Sequence, residues 1–282
     1  MEKISNALIK DYTTYKLDGF IKEIVFPKDV LELKELLESL KGKKYKIIGN
    51  GSNLILDESY DGVLINLKYF NNIEFNDNIV KVGAGYSLPK FALECANKGL
   101  SGLVFAAGIP GTIGGAIYMN AGAYGKEISD ILESVTVLDD NLNVKVLTKN
   151  ELETSYRDSI FKHTNYVCLE AIFCLEYGDK ETILKEIREI IETRKAKQPL
   201  EYPSAGSVFK NGEGYSAGRL IEKAGLKGTR VGDAEVSLKH ANFIVNRGNA
   251  KALDVINLID IIKKKIKEED NVDLILEQEI LK

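Results

Sequence analysis

Two short stretches of this chain could hold phosphate with little more than backbone. Gly49 to Asn53 reads GNGSN, and Gly108 to Gly125 reads GIPGTIGGAIYMNAGAYG. Glycine allows close backbone approach, successive N–H groups can cradle a diphosphate, and Ser52 and Asn53 add short polar donors. Tight turns between packed strands are the competing reading, and either loop alone permits it. Both together, in one region, point to a cofactor cleft of non-Rossmann type. The familiar nucleotide loops are excluded by spacing. GNGSNL lacks the third glycine of GxGxxG and the helix that should follow at once. GAGYSL at Gly83 fails in the same way, and GAYGKE around Lys126 is not GxxxxGK[ST]. His163 and His240 stand far apart, with no HExxH or CxxC. Metal catalysis therefore has no support, and each histidine reads as a surface or hydrogen-bonding residue. No GxSxG elbow offers a hydrolase nucleophile.

The elements that must position these loops alternate along the first two-thirds of the chain. Asp29 caps a helix to Leu40, with Val30, Leu33, Leu36, Leu37 and Leu40 at helical spacing. Strands are expected at Tyr45 to Ile48, running into the first glycine loop, and at Val63 to Leu67 and Ile79 to Val82. Leu88 to Asn97 is a helix stopped by Gly99. Leu132 to Leu138 and Val144 to Leu147 form strands about a turn, and Tyr166 to Leu175 a further strand. Lys180 to Lys197 is a charged amphipathic helix, broken by Pro199 and Pro203, which mark a boundary at Gln198 to Ser204. Beyond it come a strand near Ser207 to Lys210, a helix from Ser216 to Ala224 and a strand at Asn242 to Val245. A long helix from Ala250 to Glu269 is expected to be capped by Asn249, with Leu253, Ile256, Ile259 and Ile266 on one face. A final strand covers Leu274 to Ile280. Both parts are α+β.

Composition narrows the partners. Of 24 glycines, eight fall between Gly99 and Gly125, a window without a charged residue. Its length suggests a membrane span, but the glycines, Pro110 and Asn120 make a poor spanning helix, so a loop system is expected. Lysine and arginine total 38 against 42 acids, a net charge of −4 that gives no footprint for nucleic acid. Three cysteines without metal-ligand spacing (Cys95, Cys168, Cys174) fit a reduced cytosolic compartment. The first residues hold no apolar core of a signal peptide.

The loop sequences also carry a family resemblance. The blocks are TTYKLDG (Thr13 to Gly19), GNGSNLIL (Gly49 to Leu56), the Gly108 to Gly125 loop, SYRDSIFK (Ser155 to Lys162), QPLEYPSAGSVFKN (Gln198 to Asn211), AGRLIEKAGLKG (Ala217 to Gly228), KHANFIVN (Lys239 to Asn246) and LEQEI (Leu276 to Ile280). In order and across nearly the whole chain, they resemble the UDP-N-acetylenolpyruvoylglucosamine reductase (MurB) family of bacterial peptidoglycan precursor synthesis. The match is to its shorter subtype, which lacks an extra tyrosine-bearing loop. Asn50, where a third glycine is common, and Asp18 depart from the pattern. The resemblance implies a two-part FAD-binding domain of the vanillyl-alcohol-oxidase/PCMH type over residues 1–197, itself split near residues 56–60. A C-terminal α+β substrate domain would occupy residues 198–282. It further implies a cytoplasmic enzyme, taken as a monomer, with no nucleic-acid or membrane partner. NADPH would supply hydride and the substrate would be the enolpyruvyl ether of a UDP-sugar. An oxygen-using oxidase of the same cofactor-domain type and a flavin-free nucleotide-sugar binder are the alternatives.

Roles follow residue by residue from the same resemblance. For FAD the matching positions are Gly49, Asn50, Gly51, Ser52 and Asn53, with Gly108, Ile109, Pro110, Gly111, Thr112, Gly114, Gly115 and Ala116. Hydride arriving at the terminal methylene leaves charge that spreads into the substrate carboxylate, so an enolate stabiliser and a proton donor are needed. Arg157 matches the stabiliser; without the resemblance, an ion pair with Asp158 explains it. Ser207 matches the proton donor, with Lys210 as the neighbouring cation; chemistry alone would read it as a strand-start serine. Glu279 matches the catalytic glutamate, whose protonated carboxyl would support the enolate and whose ionised form would oppose it. Lys197 and Asn211 match UDP-sugar contacts, and Arg219, Lys239 and His240 are weaker candidates for the diphosphate, explained equally well as solvated surface charge.

Overall fold

The computed structural model describes residues 1–282. Strand β1 (Glu2–Leu8) and β2 (Phe20–Phe26) precede helix α1 (Val30–Ser39). Asp29 caps α1 by accepting from the Glu32 N–H at 2.9 Å, and Leu33, Leu36 and Leu37 form its buried stripe. β3 (Tyr45–Ile48) enters the first glycine loop and β4 (Leu54–Leu56) leaves it. Next come β5 (Val63–Asn66), β6 (Ile73–Asn76), β7 (Ile79–Gly83), α2 (Leu88–Asn97) and β8 (Leu100–Ser101). The second glycine stretch is not all loop. It holds α3 (Ile113–Tyr118), because the Thr112 hydroxyl accepts from the Gly115 N–H at 3.3 Å and Ile113 and Ile117, one turn apart, are both buried.

Short strands β9 (Gly122–Ala123) and β10 (Lys126–Glu127) lead to β11 (Leu132–Leu138), β12 (Val144–Thr148), β13 (Val167–Cys174) and β14 (Glu176–Tyr177). Helix α4 (Lys180–Lys197) ends just before Pro199. Then follow α5 (Ala217–Lys223), β15 (Arg230–Val231), β16 (Ala234–Val236), β17 (Ile244–Asn246), α6 (Ala252–Asp270) and β18 (Glu279–Leu281).

The chain forms two compact units that interleave in sequence. The first takes residues 1–3, 24–50 and 63–193. Its main sheet runs β12-β11-β13-β7-β6, antiparallel throughout. The buried cluster on it includes Val80, Val82, Phe91, Val135, Val137 and Phe173, with the Phe91 and Phe173 rings 5.1 Å apart. Parallel β3 and β5 belong to the same unit.

The second unit takes residues 4–23, 51–62 and 194–282. In it β15-β16-β17 form an antiparallel sheet against which α6 packs, and β18 lies parallel to β4. Four expectations are corrected here. Residues 207–210 and 274–278 form no continuous strands but isolated bridges, Ser207 with Phe243 and Phe209 with Leu276, because the segment divides its pairing between two partners. Strand geometry at the C-terminus is confined to Glu279–Leu281, where β4 offers an edge. At the start of helix α6 the Asp254 carboxylate accepts from the Lys251 N–H at 2.9 Å, and Asn249 is not the cap, its own N–H being held by Asp233 at 2.8 Å. Leu253 lies on the solvent side of that helix, and Val255, Leu258 and Ile262 are buried instead.

Candidate functional site

In the first unit the two glycine loops touch. A Cβ on Gly49 would lie 2.4 Å from the Thr112 hydroxyl, so only glycine permits this approach. Asn66 holds the Gly49 carbonyl at 2.9 Å, and Gly114 packs against Ala84 with 3.1 Å between its Cβ position and the alanine Cβ. The N–H groups of Asn50, Gly111 and Thr112 donate to no carbonyl of the chain. Unspent amides, a threonine hydroxyl and no fixed charge make a neutral donor set on close-approaching backbone. These residues fit a dinucleotide phosphate.

Arg157 projects from a tight turn of the same unit. Its backbone is left-handed, with φ +57°, a conformation costing a non-glycine residue about 1–2 kcal/mol. The surroundings enforce it. Ser155 and Asp158 exchange backbone hydrogen bonds at 3.2 and 3.1 Å, and the Lys162 ammonium donates to the Arg157 carbonyl at 2.8 Å. Asn120, fully buried, donates to the Ser155 carbonyl at 3.1 Å, and the Ser159 hydroxyl to that of Tyr118 at 2.8 Å. The guanidinium donates to the Gly122 carbonyl at 2.7 Å and lies over the Tyr156 ring. Asp158 is spent on other partners, the His163 ring at 3.0 Å and the Ser159 N–H at 2.9 Å. Burial pushes the Asp158 carboxyl up, and these two partners outweigh it, so its pKa is lowered. Asp158 is therefore not the partner that holds the arginine.

In the second unit Asn53 joins the first glycine loop to the C-terminal segment. Its side-chain amide donates to the Glu277 carbonyl at 3.0 Å, and its own carbonyl accepts from the Glu279 N–H at 2.9 Å. Glu279 then opens β18 opposite Leu54. The Ser207 segment lies beside the same stretch. The Glu277 N–H donates to the Val208 carbonyl and the Lys210 N–H to that of Ile275, both at 2.8 Å. Buried Gln278 donates to the carbonyls of Ala205 and Gly206, each at 3.1 Å. Ser207, Glu279 and Asn53 are therefore gathered by one short segment.

The remaining candidates are more dispersed. Lys197 is exposed at the end of α4. Asn211 accepts from the Ala217 N–H at 3.0 Å and so orders the entry to α5. Arg219 is exposed, while Lys239 donates to the Lys195 carbonyl at 2.6 Å. His240 is half-buried and its Nδ1 accepts from the Asn242 N–H at 3.3 Å. Sequence reasoning missed Asn120, Lys162 and Gln278. The first two lie inside matched blocks and could have been sought as supports of Arg157. Gln278 gave no signal, since only the acids of LEQEI suggested chemistry.

Two family models match the chain: an FAD binding domain over residues 21–147 and the UDP-N-acetylenolpyruvoylglucosamine reductase C-terminal domain over residues 198–281. Fold and site thus define a flavin-dependent oxidoreductase. The UDP-N-acetylenolpyruvoylglucosamine reductase of Clostridium novyi is 45% identical over 280 residues, covering 98% of this chain and 91% of that protein. The Bacillus subtilis enzyme of that name is 43% identical over 283 residues, covering 99% and 93%. The crystal structure of the Thermus caldophilus reductase aligns over 100% of this chain and 98% of that one, with a TM-score of 0.85 at 40% identity. The chain belongs to the UDP-N-acetylenolpyruvoylglucosamine reductase family.

Proposed function

We propose that this protein reduces the enolpyruvyl ether of UDP-N-acetylglucosamine to UDP-N-acetylmuramate, using NADPH, in peptidoglycan precursor synthesis. FAD, when bound, supplies the relay of hydride from NADPH to the substrate. Residues 1–197 hold the cofactor and 198–282 the UDP-sugar, in line with the two matched models. In the two glycine loops, Gly49 to Asn53 and Gly108 to Ala116, the amides of Asn50, Gly111 and Thr112 are the backbone donors for the FAD diphosphate. Arg157 stabilises charge on the substrate carboxylate through its planar fork, and preorganisation in a left-handed turn spares that fork from moving as charge develops. Ser207 delivers a proton to the carbon next to that carboxylate, and Glu279 supports the enolate. Lys197 and Asn211 contact the UDP-sugar.

The observation that carries this reading is the single segment, Glu277 to Glu279, that binds Asn53, the Ser207 loop and β4 together. One chain carries every matched block, so the working unit is taken as a monomer. NADPH and a UDP-sugar as reactants, with three free cysteines, favour the cytoplasm. No helix is long and apolar enough to cross a membrane.

The test is anaerobic. The purified holoprotein is reduced with NADPH and then mixed with the enolpyruvyl UDP-sugar. Reoxidation of the flavin is the expected result; reduced flavin that the sugar leaves unchanged, but oxygen reoxidises, would sink the proposal in favour of an oxidase. Ser207→Ala should retain reduction by NADPH and lose about 10²- to 10⁴-fold in the sugar-dependent step, the range of a positioned proton donor.

A further inference from the structure

We infer that Gln278 is a positioning residue for Ser207, an assignment that rests on the proton-donor role proposed above. The Gln278 side chain is 3% exposed in a segment whose neighbours Glu277 and Glu279 are half-exposed. Its nitrogen carries two N–H bonds and lies 3.1 Å from both the Ala205 and the Gly206 carbonyl. Two successive carbonyls turned onto one nitrogen fix the peptide planes on both sides of Gly206. That residue has φ +75°, with open space where a Cβ would sit, so conformation and not crowding selects glycine there. Because the peptides are trans, the N–H groups of Gly206 and Ser207 point away from Gln278. The Cα of Ser207 is thereby set, and with it the direction of the Cα–Cβ bond that carries its hydroxyl.

The other end of the amide separates this role from plain packing. Gln278 Oε1 is buried without a hydrogen-bond partner, and so is the hydroxyl of fully buried Tyr15. An apolar side chain of equal volume would leave the Ala205 and Gly206 carbonyls without this donor, so the amide nitrogen is what the position requires. Here only the nitrogen is spent, and it is spent on the loop that carries Ser207. The neighbouring Glu277 N–H bond to Val208 fixes the register, so one three-residue segment sets both Ser207 and Glu279.

The experiment compares Gln278→Met, Ser207→Ala and the double variant as holoproteins in anaerobic stopped flow. Gln278→Met should leave flavin reduction by NADPH within about twofold and slow reoxidation by the enolpyruvyl UDP-sugar about ten- to a hundredfold, part of what a proton donor contributes. On the Ser207→Ala background the same change should add less than about twofold, since it acts through the missing hydroxyl. Amide hydrogen exchange in residues 205–208 should quicken in Gln278→Met, a readout independent of turnover. Normal reoxidation in Gln278→Met, or losses that multiply in the double variant, overturn the inference. Normal reoxidation in Ser207→Ala overturns the underlying role instead. If Gln278→Met does not fold, Gln278→Glu keeps the shape but can hold at most one of the two carbonyls. An intermediate loss in reoxidation is then expected, and none would refute the assignment.

Discussion

Gly49→Ala tests whether the two glycine loops work as one surface. The new methyl would sit 2.4 Å from the Thr112 hydroxyl, about 1 Å inside ordinary contact. Thr112 is 7% exposed, so it can yield only by leaving its rotamer and releasing the Gly115 N–H that it caps at 3.3 Å. Overpacking of this kind costs about 1–3 kcal/mol, and loss of a threonine cap about 1 kcal/mol. Part of that cost should fall on FAD affinity, because the Gly111 and Thr112 amides would be displaced; at 1.4 kcal/mol per decade, a ten- to hundredfold rise in Kd is expected. Thr112→Ala removes both the obstruction and the cap, so alone it costs about 1 kcal/mol. With the obstruction gone, Gly49→Ala should then add less than about 0.5 kcal/mol, a coupling of about 1–3 kcal/mol in the cycle. Urea unfolding gives the stabilities and flavin fluorescence gives Kd. Additive effects, or a Gly49→Ala protein with unchanged stability and FAD affinity, would refute contact between the loops.

Arg157→Gly removes a side chain from a left-handed turn. The variant should hold or gain up to about 1 kcal/mol in stability while kcat falls about 10²- to 10³-fold, and a clear loss of stability would show that the turn is not strained. Burial lowers the pKa of His240 below its ordinary 6.5, and its Nδ1 accepts a backbone bond that protonation would break. Its stabilising effect is therefore complete above pH 6.5 and is lost as pH falls through 6.5 toward the lower folded value. Unfolding free energies of His240→Gln should show a flatter slope over that interval than those of the parent. The Cys95 and Cys168 thiols are pushed up to about 12 by burial, whereas Cys174 is exposed. A thiol reagent should titrate one cysteine in the native protein and three in denaturant; rapid reaction of a second native thiol would contradict that burial.

Local chemistry was legible where local chemistry decides. Helix α2 begins and ends where its apolar period and Gly99 place it, α4 ends ahead of Pro199, and the β11–β12 hairpin lies where alternation and a polar turn put it. Helix α3 was hidden because its glycines depress helix propensity, and only the Thr112 cap and the Ile113–Ile117 spacing announce it. The alternating runs at Ser207 and Leu274 resembled strands, yet what they become depends on which remote segment lies alongside. The same holds for the site. Residue types and order pointed to Arg157, Ser207 and Glu279 through a resemblance. The turn that strains Arg157 and the glutamine that grips the Ser207 loop arise only from tertiary contacts.

The parallel pairing of β4 with β18 also has a consequence for biosynthesis. Asn53 and Glu277 are 224 positions apart, so the early segment leaves the ribosome long before its partner exists. The first unit draws on no residue beyond 193, whereas β4 belongs to the second. Leu54, Ile55 and Leu56, all buried in the finished protein, must meanwhile wait without β18. Closing so long a loop is slow, and an uncovered apolar strand is the kind of surface that chaperones hold. Until β18 arrives, Asn53 lacks both of its bonds to the C-terminal segment, and the strand that leaves the first glycine loop has no neighbour to pair with.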